Sequence, residues 1–178
     1  MTEKELVKGC LKEDRACQKE LFDRYAPKML SVCRRYARHS MEAEDILQDA
    51  FVRVFDKLGT FRGDGSLEGW VRRIVVHACI RNYRKSSFKN EQFGLETLPE
   101  GQVESDAISR MSTDQMFELI NELPDGYRMA FNLFVIEGYG HSEIAEIMGC
   151  GESTSRSQLA KARRWLQARI TEMEKVAL

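Results

Sequence analysis

The sequence predicts an all-α protein made of two small helical domains joined by a flexible linker, the C-terminal one containing a helix-turn-helix. Three observations carry this. Apolar residues recur at three- and four-residue spacing in both halves of the chain. No region alternates β-branched and polar residues as a half-buried strand would. Prolines occur only at Pro27, Pro99 and Pro124, which leaves room for long helices. At 178 residues the chain can bury one sizeable core or two small ones, each near the lower limit for independent stability.

The elements follow in order. Cys17, Leu21, Phe22, Tyr25, Met29, Val32, Cys33 and Tyr36 fall on one helical face, with a kink or break expected at Pro27. Ala43, Ile46, Leu47, Ala50, Phe51, Val54, Phe55 and Leu58 stripe a second helix, for which Ser40 is available as N-cap. Turn-forming residues 59–65 end it. Ser66 then caps a third helix with Leu67, Trp70, Val71, Ile74, Val75 and Ala78 inward. From about Ser86 to Ser112 the periodicity fades, with Gly94, Pro99, Gly101 and several acids in place of large apolar groups. This reads as an exposed linker, and the domains are placed at 1–86 and 113–178 with the linker over 87–112. The second unit opens with Met116, Leu119, Ile120 and Leu123. Pro124 starts another helix whose apolar side holds Tyr127, Ala130, Phe131, Phe134 and Val135; two shorter helices and a basic one are expected after it.

A formal net charge of −1 argues against a polyanionic partner only if charge is evenly spread. Here it is segregated. Residues 42–49 carry Glu42, Glu44, Asp45 and Asp49 without a base, whereas residues 70–89 carry Arg72, Arg73, Arg81, Arg84, Lys85 and Lys89 without an acid. Arg156, Lys161, Arg163, Arg164 and Arg169 make the C-terminal stretch basic again. The five cysteines form no C-x-x-C pair and no zinc spacing with the three histidines, so no metal or cofactor is expected and the thiols read as reduced, buried and cytosolic. The charged opening MTEKELVKGC is unlike a signal peptide, and no apolar run approaches the roughly 20 residues that span a bilayer. A cytoplasmic protein without membrane insertion is expected. With no phosphate loop, metal cluster or nucleophile–base set, no catalytic residue is assigned and the chain is not expected to be an enzyme.

Three stretches carry the candidate chemistry. Residues 142–148, the turn Gly149-Cys150-Gly151 and residues 152–167 have the small residue Ala145 and the tight turn of a helix-turn-helix. Its second helix would enter a major groove with Ser153, Thr154, Arg156, Ser157, Gln158 and Lys161. A plain helical hairpin with a solvated basic face is the blander alternative. Next, a glycine-rich loop with Phe61, Arg62 and Asp64 runs into a helix bearing Trp70, Arg73, His77, Arg81 and Arg84. Aromatics interleaved with cations suit single-stranded DNA, although Trp70 also lies on the apolar stripe and composition accounts equally for a solvated basic face. Last, Glu44, Asp45, Gln48 and Asp49 line the outer face of the acidic helix. Most such faces are merely solvated, and any macromolecular partner there would be a basic protein surface rather than DNA.

Taken in series, these motifs become recognisable. EDILQDAF from Glu44, FRGD from Phe61 and WVRRIVV from Trp70 resemble the first conserved domain of extracytoplasmic-function (ECF) sigma factors. LPDGYRMAF from Leu123, IEGY from Ile136 and the helix-turn-helix resemble their second. The resemblance implies a factor that binds core RNA polymerase and directs promoter-specific initiation. Glu44, Asp45, Gln48 and Asp49 would meet the clamp helices of the β′ subunit. Phe61, Arg62, Asp64, Arg73, His77, Arg81 and Arg84 would capture the melted −10 element, including a flipped base. Ser153, Thr154, Arg156, Ser157, Gln158 and Lys161 would read the −35 element as duplex, with their domain also seated on the β-flap. The linker would thread toward the RNA exit path, and an anti-sigma factor would be a further partner. His77 and Arg81 stand where the family often has asparagine and an acid, which bears on base preference at the −10 element. Gly140 and Gly151 stand at helix starts that are often serine. A ligand-binding helix-turn-helix regulator would leave the acidic helix and the aromatic loop without a role. A helical interaction module without DNA would leave the local basicity unexplained.

Overall fold

Ala43, Ile46, Leu47, Ala50, Phe51 and Val54 place a continuous apolar stripe along one 18-residue helix, and all six are buried. The computed structural model describes residues 1–87 and 109–177. In it the chain forms α1 (Glu3–Cys10), α2 (Arg15–Tyr36), α3 (Ser40–Lys57), a 3₁₀ turn (Leu58–Thr60) and α4 (Leu67–Ser87). There follow α5 (Thr113–Glu122), α6 (Asp125–Phe131), a π-helical turn (Asn132–Ile136), α7 (His141–Met148) and α8 (Glu152–Val176). The described residues include no strand. The chain divides into two compact units, Met1–Asn82 and Tyr83–Leu178. Most of the expected linker, residues 88–108, lies outside the described residues.

In the first unit Leu21, Met29, Val32, Cys33, Phe51, Val54, Leu58, Leu67, Val71 and Val75 are buried together with Leu6 of α1. The N-terminal segment, too polar to show a strong stripe, is nevertheless helical. Its signal is a capping box: Thr2 Oγ1 accepts from Glu5 N–H at 3.3 Å, and Glu5 Oε2 accepts from Thr2 N–H at 2.8 Å. Asp14 caps α2 by accepting from the N–H groups of Ala16 and Cys17.

Three expectations for this unit need correction. α2 runs through Pro27 without a break. The carbonyl deprived of its donor is that of Asp23, and both Asp23 and Pro27 are exposed, while Leu21, Tyr25, Ala26 and Met29 bury the other face on either side. Phe22 is 37% exposed rather than inward, although its ring meets Phe51 edge-on at 4.7 Å. The N-cap of α3 is His39, not Ser40: its backbone is extended and its Nδ1 accepts from Glu42 N–H at 3.2 Å. Ser66 does cap the start of α4, accepting from Gly69 N–H at 3.1 Å. Val71, Val75, Val76, Cys79 and Ile80 form the buried side of α4, with Trp70 and Ile74 only half-buried.

In the second unit Ser112 and Gln115 form a reciprocal capping box at the start of α5. Ile120, Leu123, Tyr127 and Ala162 make a core against which Phe117, Phe131, Trp165 and Leu166 pack. Arg128 is buried and closes the α5–α6 corner by donating to the carbonyls of Asn121 (3.0 Å) and Leu123 (3.3 Å) and to Asp125 (2.8 Å). Met116 and Val135 point outward, against expectation. For Val135 the reason is the π turn, in which Glu137 N–H reaches back five residues to the carbonyl of Asn132. That wider turn shifts the apolar register, so Leu133 goes inward and Val135 outward. After it come one short helix and one long one, because the basic segment expected as a separate helix continues α8 to Val176.

The approach of α1 to α2 depends on Gly9. A β-carbon there would lie 2.2 Å from Cys17 Sγ and 2.9 Å from Cys17 Cβ. Gly9→Ala is expected to cost roughly 1–3 kcal/mol through overpacking, with Cys17→Ala added to it recovering part of the loss. Urea denaturation followed by circular dichroism checks both.

Candidate nucleic-acid and protein interfaces

The stripe that buries one side of α3 turns its other side to solvent, and Glu44, Asp45, Gln48 and Asp49 are all exposed there. Val52, 61% exposed, continues this surface one turn on. The result is an exposed acidic helical face with an apolar end.

Beyond α3 the 3₁₀ turn leads into the glycine-rich loop. Gly63 and Gly65 have φ of +78° and +151°, conformations that side-chain-bearing residues rarely adopt. The tight path brings Phe61 back onto α4, where its ring lies 5.6 Å from that of Trp70. Phe61, Arg62, Asp64, Gly69, Trp70 and Arg73 are among the residues that line a cleft of about 430 Å³. Arg73, His77, Arg81 and Arg84 follow Trp70 at spacings of three, four, four and three, so they form one ridge along α4. Arg73, His77 and Arg84 are exposed, and Arg81 is half-buried. Desolvation and the charges of Arg81, Arg73 and Lys57 hold the His77 imidazole below its usual range. A neutral imidazole can both donate and accept a hydrogen bond. Desolvation and the charge of Arg53 act on Arg81 in the same direction, opposed by Asp49, yet a guanidinium remains a cation.

In the second unit, Gly149 ends α7 in the left-handed conformation (φ 67°, ψ 37°), and Cys150 N–H returns to the carbonyl of Ala145 at 2.9 Å. Gly140 and Gly151 are the N-caps of α7 and α8. Glycine has no side chain to cap with, but Glu143 Oε2 accepts from Gly140 N–H at 2.8 Å. Ile144 and Ala145 are buried against α8, whose inward residues include Leu159 and Ala162. On α8, Ser153, Thr154, Arg156 and Ser157 are exposed and Lys161 is half-buried. Gln158 does not join them: it is only 7% exposed, because it shares the inward face with Ser155 and Leu159. Arg156 pairs with Glu152 at 3.0 Å, both half-exposed. Such a pair is worth little and leaves the guanidinium available.

Residues 21–88 match the Sigma-70 region 2 family and residues 113–166 match Sigma-70, region 4. The chain is 30% identical over 183 aligned positions to the ECF RNA polymerase sigma-E factor of Escherichia coli K12, covering 96% of this chain and 95% of that one. The chain belongs to the ECF sigma factor family. The sigma-E factor of Haemophilus influenzae is 26% identical, with 96% of each chain covered. The sigma factor RpoE of Bartonella quintana, solved in complex with the anti-sigma factor NepR, shares the fold with a TM-score of 0.50 and 21% identity, over 86% of this chain and 96% of that one. The ECF chain is thus a transcription-initiation factor that binds DNA through region 4, and its family is not known as one of enzymes. No described helix is long and apolar enough to cross a membrane.

One neighbourhood next to these faces is not legible in the sequence. Glu42 is 9% exposed and receives the backbone N–H of Arg38 at 2.6 Å, Arg38 Nη2 at 2.9 Å and Asn82 Nδ2 at 2.8 Å. It therefore joins the start of the acidic helix to the helix that carries the cationic ridge. Its position one turn before Ile46 was the available signal; its partner forty residues away was not readable. Burial alone would raise its carboxyl, but the hydrogen bonds from Arg38 and Asn82 bring it down to about 2. A carboxyl lowered by folding stabilises the folded state above its unfolded value near 4.5 and loses that contribution as pH falls toward 2. Glu42→Gln is expected to cost on the order of 2–3 kcal/mol at pH 7. The gap between the two proteins should close as pH falls from 4.5 toward 2, read by urea denaturation at each pH.

Proposed function

We propose that this ECF sigma factor directs core RNA polymerase to promoters by capturing the −10 element as a single strand and reading the −35 element as duplex. The observation that carries this reading is the cleft of Phe61 and Trp70 at the head of a cationic ridge. An unstacked base finds a π-face and a concave site there, and the following phosphates find Arg73, Arg81 and Arg84. The functional domains are 1–86 for polymerase and −10 binding and 113–178 for the −35 element. A second base-reading surface in the same chain, the helix-turn-helix, suits a factor that must hold melted and paired DNA at once. The acidic face of Glu44, Asp45, Gln48 and Asp49 is the surface for the β′ clamp, since it would repel DNA. The region 4 domain also sits on the β-flap. The factor acts in the cytoplasm. The complex of the Bartonella relative with NepR supports an anti-sigma factor as a regulatory partner. In vitro transcription with core polymerase on fragmented genomic DNA, with the transcript starts sequenced, tests the reading; starts without shared upstream elements would sink it.

Asp49→Lys is expected to weaken core binding in a pull-down while leaving thermal stability unchanged, because the site is exposed and opposite the apolar stripe. On α8, Arg156 lies in the first turns, where a planar fork can pair with a guanine edge. Arg156→Ala should cost roughly 1–3 kcal/mol on the preferred −35 sequence and flatten preference at one position. Lys161→Ala should weaken binding evenly across sequences and shallow the salt dependence by about one unit. Holoenzyme binding to single-base −35 variants at several salt concentrations separates the two roles.

A further inference from the structure

We infer that His141 is a positioning residue for −35 readout, holding the reading turn of α8 in register through Ser155; this rests on the −35 reading above. Ser155 lies between the exposed residues Thr154 and Arg156, yet it is completely buried and cannot touch DNA itself. Its Oγ lies 2.9 Å from Nδ1 of His141, the first residue of α7. Both groups can donate or accept, so the bond forms in either tautomer of the ring. The same ring stacks on Phe134, with centroids 4.6 Å apart and planes 19° from parallel. Phe134 belongs to the π turn, and the guanidinium of Arg163 lies 5.9 Å over its ring. α8 thus meets the His141–Phe134 stack at two points, Ser155 and Arg163, eight residues apart.

Apolar packing alone tolerates small rotations and slides of one helix over another. A directed hydrogen bond does not, since it weakens steeply once its geometry is lost. Rotation of α8 about its axis would move the buried Ser155 off His141 and swing Thr154 and Arg156, its neighbours, by the same angle. The hydrogen bond supplies angular definition and the stacked rings supply support, which together hold short side chains such as Ser153 and Thr154 at a fixed distance from the groove floor.

Five forms of the full chain, each assembled with core polymerase, test this: wild type, Ser155→Ala, His141→Phe, the two combined, and His141→Asn. Ser155→Ala removes one buried oxygen and leaves the packing volume almost unchanged. His141→Phe keeps a ring to stack but loses the hydrogen bond, whereas Asn can present a polar atom near the position of Nδ1. The measurement is the spread of relative affinities over a promoter library with a fixed −10 element and a randomised −35 element, beside the melting temperature of each free protein. Ser155→Ala and His141→Phe are expected to compress that spread by roughly three- to tenfold, the worth of one hydrogen bond. Their combination should be no worse than either alone, and His141→Asn should restore most of the spread. A preference that keeps its full spread in both variants while melting temperatures fall overturns the inference and leaves the −35 reading standing. A wild-type holoenzyme indifferent to the −35 sequence overturns both.

Discussion

Four hydrogen-bonding groups converge on the buried carboxylate of Glu42: three from Arg38 and one from Asn82. A buried charge without partners would cost several kcal/mol, so this arrangement has to be complete to be tolerated at all. Completing it needs the α2–α3 loop, the first turn of α3 and the late turns of α4 to be in place together. The apolar stripes bring those helices into contact, but greasy surfaces permit many registers. The carboxylate selects one. The acidic outer face of α3 and the cationic ridge of α4 inherit their relative placement from that choice.

The same division of labour recurs in the second unit. There the core of Ile120, Leu123, Tyr127 and Ala162 provides adhesion, while Arg128 ties the α5–α6 corner through backbone carbonyls and His141 meets Ser155 across the helix-turn-helix. In each unit a few buried polar groups specify geometry that the apolar residues alone would leave loose. The exposed polar residues are then free to differ in sign: carboxylates on α3, cations on α4 and α8. A net charge near zero conceals this entirely.

Periodicity made the long elements legible, because the α3 stripe and the Leu159 and Ala162 face of α8 repeat without interruption. Turn chemistry made Ser66 and Gly149 legible, since a short hydroxyl cap and a left-handed glycine each answer a local need. What escaped was of two kinds. Some features break the period itself: the π turn carries one residue more than an α-helical turn, so Val135 faces outward where the three-four spacing places it inward. Others depend on partners distant in sequence. Nothing around Glu42 announces Asn82, and nothing around Gln158 announces that a polar residue within a run of exposed donors would turn inward. His39 displaced Ser40 as a cap because an imidazole nitrogen can accept the same backbone N–H that a hydroxyl would, a substitution that residue preferences do not anticipate.

The length of α8 has a mechanical consequence. Its 25 residues form one uninterrupted rod of roughly 37 Å, with the residues proposed to read the −35 element in its first turns and Arg169, bonded to Glu122 of α5, toward its far end. A rod has no joint at which to absorb a disturbance. Tilting it by about five degrees around one end carries the other through roughly 3 Å, about the length of a hydrogen bond. Whatever leans on the last turns of this helix therefore also aims the first, and a surface more than three turns away becomes part of the pointing of Arg156.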